Sequence, residues 1–131
     1  MILLDTHIWI WWMHNDSRLQ PKYREVIQAA PNASIGVSII SCWELAKLVE
    51  NRKLALAVPA REWINKGLSH SKIKLIPLTP NVVVEATQLP GAFHRDPADQ
   101  LIVATSRIFG YPLLTVDSKI VSYPHVALLR V

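Results

Sequence analysis

Five of the ten carboxylates in this chain, Asp5, Glu44, Asp96, Asp99 and Asp117, stand where chemistry has more use for them than packing. Asp5 ends the apolar run Ile2-Leu3-Leu4, and Asp117 ends Leu113-Leu114-Thr115-Val116. Asp96 and Asp99 bracket the start of a helical pattern, Asp96-Pro97-Ala98-Asp99-Gln100-Leu101-Ile102, and Glu44 sits in Ser41-Cys42-Trp43-Glu44-Leu45. If parallel strands gather these positions at one edge, several negative charges share a pocket, which is unfavourable without a cation among them. A divalent, oxygen-seeking ion such as Mg²⁺ answers that need, with one or two direct carboxylates and several retained waters. The other acids orient those waters, and one water, made more acidic by the metal, becomes a nucleophile.

Each acid also has a purely structural use. Asp96 is a favoured helix N-cap, Pro97 suits the first helical position, and Asp99 suits the helix dipole. Ser41 and Glu44 have capping-box spacing. Asp5 and Asp117 are harder to explain this way, because a carboxylate is a poor ending for a buried strand. Thr6 and Thr115 lie beside them, able to hold a water or a carboxylate. Four separate structural uses that all land on one sheet edge are less economical than one shared purpose.

The elements that must position these acids follow from periodicity. Strands are expected at Ile2–Leu4, Ser34–Ser38, Lys72–Pro77, Leu113–Val116 and Ala127–Val131. Helices are expected from Thr6 to about His14, Pro21 to about Ala30, Ile39 to Asn51, Pro59 to Ser69, Val82 to Gln88 behind a Thr79 cap and Pro80, and Asp96 to Phe109, stopped by Gly110. Strands alternating with helices predict a three-layer α/β sandwich with a parallel sheet of about five strands, a single domain over residues 1–131. In such sheets ligands bind outside the carboxyl ends of the strands, near the switch in strand order.

Composition narrows the classes. One cysteine, Cys42, excludes an internal disulfide and a Cys-rich zinc site, and reads as core. Half the residues are hydrophobic and mean hydropathy is +0.20, which favours a thick buried sheet, an apolar partner surface or both. The N-terminus lacks a signal-peptide pattern, so a cytoplasmic protein is expected. Of the net charge of +4, the span Lys47–Lys74 carries +5 and the remainder −1. A basic arm beside an acidic pocket suits a phosphodiester substrate, with Lys47, Arg52 and Lys53 on its backbone; a solvated surface is the plainer reading. No two histidines have helical ligand spacing; His94 and Arg95 lie in a loop where they can meet phosphate. The five tryptophans read mostly as core, but Trp11 and Trp12 are adjacent, so one of them is a candidate for a protein interface.

Leu3-Leu4-Asp5-Thr6-His7, Ser38 to Trp43-Glu44, His94-Arg95-Asp96-Pro97-Ala98-Asp99 and Leu114-Thr115-Val116-Asp117, in this order, resemble PIN-domain ribonucleases, most closely the compact VapC-type toxins of toxin–antitoxin pairs. The resemblance covers essentially the whole chain. It implies a metal-dependent endoribonuclease using Mg²⁺ or Mn²⁺, a cognate antitoxin that blocks the site, and a homodimer. It also implies a catalytic set of Asp5, Glu44, Asp96 and Asp117, a metal set of Asp5, Asp96, Asp99 and Asp117, and a hydroxyl near the last acid at Thr115; with Thr6 and Arg95, which lie beside Asp5 and Asp96, Thr115 makes up the expected substrate contacts. Two other readings compete. A phosphatase of the haloacid dehalogenase type also begins with a strand ending in Asp, but wants a second Asp where this chain has His7. A non-catalytic signalling module with an acidic Mg²⁺ pocket wants paired acids where this chain has Asp5-Thr6.

Overall fold

The computed structural model describes residues 1–131. Its elements, in order, are β1 (Ile2–Leu4), α1 (Thr6–Met13), α2 (Pro21–Ala29), β2 (Ile35–Ser38), α3 (Ile39–Glu50), α4 (Ala60–Leu68), β3 (Ile73–Ile76), α5 (Pro80–Ala86), α6 (Pro97–Phe109), β4 (Leu113–Leu114) and α7 (Ser118–Val121). The strands form one sheet in the order β3-β2-β1-β4, and every pairing is parallel. Leu3 is level with Gly36 on β2 and with Leu113 on β4.

Alternation along the strands divides the interior into two cores. Leu4, Ile35, Val37 and Leu114 point to one face and pack with Ile8, Trp9, Ile27 and Leu45 from α1, α2 and α3. Leu3 and Leu113 point to the other and pack with Ile102, Val103, Ile120 and Tyr123 from α6 and the C-terminal segment. Both sheet faces are covered, which explains why the strands read as continuous apolar runs.

The sheet has four strands rather than five. Ala127–Val131 pairs with β4 through one bridge only, Leu113 with Leu128. The Leu113 amide donates to the Ala127 carbonyl and its carbonyl accepts from Leu129, while the Leu114 carbonyl turns to β1 and accepts from Asp5. A two-residue strand has one residue facing each neighbour, so only one rung is available on that side. No helix is long and apolar enough to cross a membrane.

The chain runs β1, β2, β3 outward in one direction, then returns across the sheet to place β4 on the far side of β1. The reversal of strand order lies at β1, and a crevice opens there at the carboxyl ends.

Candidate active site

Asp5 leaves β1 and caps α1, accepting from the Thr6 amide at 2.8 Å. Its other oxygen accepts from the Thr115 hydroxyl at 2.6 Å, across from the end of β4. Thr115 in turn accepts from the Asp117 amide at 3.1 Å. One threonine therefore ties two acids from opposite ends of the chain. Asp117 caps α7, accepting from the Lys119 amide at 2.8 Å. That short helix is absent from the sequence expectations.

Asp96 caps α6, its Oδ1 accepting from the Asp99 amide at 3.0 Å, with Pro97 at the first helical position. The structural use is real, and it occupies one carboxylate oxygen. Asp99, one turn on, is 9% exposed. Its Oδ2 lies 2.9 Å from His94 Nε2, although the ring is not aligned to donate a hydrogen bond.

The capping box expected at Ser41 and Glu44 does not form. β2 runs into α3 without a loop, and Ser38 is the cap, accepting from the Ile40 amide at 3.2 Å. Glu44 thus lies beyond the first turn, and its Oε1 is buried without a partner. Ser41 instead accepts the Thr6 hydroxyl at 2.8 Å, fastening α1 to α3 beneath the acids.

Electrostatics shows that the five acids share one space. Burial raises Asp99 from 3.8 to about 8, and Asp5, Asp96, Glu44 and Asp117, in that order, push the same way. Burial also raises Asp5, against the lowering effect of the Thr115 hydrogen bond. Glu44 is raised chiefly by burial, against the lowering effect of the nearby Thr6 hydroxyl, with Asp5 and Asp96 adding repulsion. An orphaned buried carboxylate oxygen beside four more acids fits a hard cation and its waters. No three His, Cys, Asp or Glu side chains already cage an ion by themselves.

The expected substrate contacts divide. Thr6 is fully buried and bonded to Ser41, so it cannot meet substrate and instead braces the site. Thr115 engages its hydroxyl between Asp5 and Asp117 in the same way. Arg95 is exposed next to Asp96. Lys47 and Lys53 line a groove of about 180 Å³ with Trp43, Glu44 and Asp96. Arg52 lies outside that groove, in the turn after α3, where its φ of 57° reverses the chain. Two other cations of the basic span are taken up locally, Lys66 by Glu62 and Lys72 by the Ala30 carbonyl. Lys47 itself pairs with Glu50 at 2.6 Å.

Sequence reasoning missed the Thr6–Ser41 brace and the approach of His94 to Asp99. Ser38 and Ser41, three apart before an apolar run, carried a signal for the first. The second depends on loop conformation and left none. Among the tryptophans, Trp12 is buried and Trp43 is 51% exposed. Trp43 therefore departs from the core expectation, because it lies on the outer side of α3 between Cys42 and Glu44.

The PIN domain family model matches residues 2–126. Ribonuclease VapC22 of Mycobacterium tuberculosis is 36% identical over 124 residues, which are 95% of this chain and 92% of that protein. Among solved structures, VapBC2 from Rickettsia felis bound to a promoter DNA fragment superposes with a TM-score of 0.70 at 19% identity, over 98% of each chain. A toxin–antitoxin complex from Klebsiella pneumoniae gives 0.68 at 18% identity, over 97% of this chain and 96% of that one. The fold, the order of its acids and these likenesses agree that the chain belongs to the PIN domain family.

Proposed function

We propose that the protein is a divalent-metal-dependent endoribonuclease and the toxin of a toxin–antitoxin pair. The observation that carries the chemistry is the buried, unpartnered Glu44 Oε1 in a pocket where burial, and then repulsion from Asp5, Asp96, Glu44 and Asp117, raises Asp99 to about 8. Such a cluster is stable in its ionised form only around a cation. The relative that is 36% identical is named a ribonuclease, which supports RNA as the polymer.

In this reading Asp5, Asp96, Asp99 and Asp117 hold Mg²⁺ or Mn²⁺ directly or through water. When bound, the ion would supply an acidified water and offset charge on the scissile phosphate. Thr115 keeps Asp5 and Asp117 aimed at the site. Glu44 Oε1, buried and without a partner, is the group placed to accept a proton from the attacking water as the bond from phosphorus to the 3′-oxygen breaks and that oxygen takes a proton from solvent. Arg95, Lys47 and Lys53 meet the substrate backbone, offsetting the repulsion between RNA and an acidic pocket. The solved neighbours are toxin–antitoxin assemblies, which supports a small antitoxin as partner. Half-buried Trp11, with the Arg18 guanidinium 5.3 Å from its ring, is a candidate contact.

Mapping of RNA product ends tests the reaction. Attack by water leaves a 5′-phosphate and a 3′-hydroxyl, whereas attack by the ribose 2′-hydroxyl leaves a cyclic phosphate. Cyclic ends, or release of phosphate from small esters without RNA cleavage, would overturn the proposal. Co-expression with the product of an adjacent small gene tests the partner; equal toxicity with and without it counts against an antitoxin.

A further inference from the structure

The chain has five tryptophans, and four of them have evident partners. Trp9 is buried and meets Trp63 edge-on at 5.0 Å. Trp63 also donates to His14 Nε2 at 2.8 Å. Trp12 is buried beside His70, and Trp11 is half-buried with the Arg18 guanidinium 5.3 Å from its ring. Trp43 is different. It is 51% exposed, and the group over its ring is the Lys47 ammonium at 5.9 Å.

Its position matters more than its exposure. Trp43 precedes Glu44 on α3 and lines the groove that holds Glu44, Asp96, Lys47 and Lys53. On its other flank it borders an apolar hollow of about 320 Å³ formed with Ile39, Ile40, Leu78 and Pro97. One side chain thus joins an apolar surface to a groove containing both acids and cations. A ligand that lies flat on an aromatic ring, carries phosphate to a lysine and reaches an acidic pocket has the chemistry of a nucleotide in a single strand. Every base has a π-face, so stacking on an aromatic platform binds single strands with little sequence preference.

We infer that Trp43 is a stacking platform for a nucleobase of single-stranded RNA beside the cleavage site, with Lys47 and Lys53 holding the phosphates on either side of that base. This subsite rests on the ribonuclease reading and deepens it. It assigns substrate positioning to a residue outside the acidic set. Because the platform grips one nucleotide while the acids engage the adjoining phosphate, Trp43 sets which bond enters the pocket.

The test combines protein and RNA changes. Wild-type protein with Mn²⁺ is first shown to cut a labelled single-stranded RNA, and the cut is mapped. Binding is then measured by fluorescence anisotropy on an Asp96→Asn background, using the intact RNA and a series with one base at a time removed near the cut. Trp43→Ala is expected to weaken binding of intact RNA by roughly five- to a hundredfold, and Trp43→Phe to restore most of it. Removing the stacked base should weaken binding to the parent protein similarly, yet cost Trp43→Ala nothing further. A merely structural role for Trp43 would not show that base-specific cancellation.

Binding by Trp43→Ala within twofold of the parent overturns the inference. So does a loss that is the same at every abasic position. A change in oligomeric mass without loss of RNA affinity assigns Trp43 to a contact between copies and overturns it too. Failure of the wild type to cut RNA sinks the ribonuclease reading itself, whereas cutting that ignores Trp43 sinks the platform alone.

Discussion

Asp99→Asn removes the carboxylate on which the pocket's repulsion falls hardest. Burial and then Asp5, Asp96, Glu44 and Asp117 raise that group from 3.8 to about 8. In the unfolded chain the same group ionises near its ordinary value of about 3.9. Between these values the folded state keeps a proton that the unfolded state has released. Stability therefore falls as pH rises from about 4 to about 8, then levels off. At about 1.36 kcal/mol per pKa unit, the unscreened cost at pH 8 approaches roughly 5 kcal/mol. Water and salt in an open pocket reduce this to about 2 kcal/mol. Asparagine forfeits the favourable charge in the first turn of α6, about 0.3–1 kcal/mol. The net gain in metal-free buffer at pH 8 is about 1–2 kcal/mol, or roughly 3–8 °C in Tm. Scanning calorimetry in chelator at several pH values measures it. The gain should grow from pH 5 to pH 8, and saturating Mn²⁺ should shrink or reverse it, because the ion stabilises the wild type more. A variant less stable than wild type at pH 8 in chelator, or a gain indifferent to pH, would refute the reasoning.

Thr115→Val keeps the shape but deletes the 2.6 Å hydrogen bond to Asp5. The Asp5 pKa should rise further, because the hydrogen bond that lowers it is gone, and the acidic limb of the pH–rate profile should move to higher pH; an unmoved limb contradicts the brace. Lys53→Ala should weaken binding to all RNAs alike and flatten the salt dependence by about 0.7 in slope, while Arg52→Ala, outside the groove, should leave the slope unchanged. Anisotropy over a salt series on the Asp96→Asn background distinguishes the two. Gly67→Ala should destabilise the fold by about 1–3 kcal/mol in denaturant titration, because its Cβ would meet Trp9 Cζ2 at 3.0 Å and Trp63 Cζ3 at 3.2 Å. Wild-type stability there would mean that the two rings can yield.

The acids were legible because each has a local signature. Asp5 and Asp117 close apolar runs, and Asp96-Pro97 opens a helix. Parallel topology then leaves one edge for all of them. What the sequence hid lies where two elements share residues or where one element is too short. Ser38 both ends β2 and caps α3, so Ser41 already lies inside the helix that was expected from Ile39, and the capping box read between Ser41 and Glu44 has no helix end to cap. Ala127–Val131 has the apolar pattern of a strand, but β4 offers it only a single rung. α7 spans four residues, too few for a periodic signal. Trp43 was placed with the core because hydrophobicity gives a residue's preference, and only the turn of α3 gives its direction.

Single-turnover cleavage of a labelled single-stranded RNA against Mn²⁺ concentration, in wild type, Asp5→Asn and Asp96→Asn, tests the shared acidic pocket most directly. Saturable Mn²⁺ dependence in wild type, no cleavage in chelator, and no cleavage by either folded variant at any Mn²⁺ concentration are expected. Cleavage that persists in chelator, or in either variant at the wild-type rate, would contradict it.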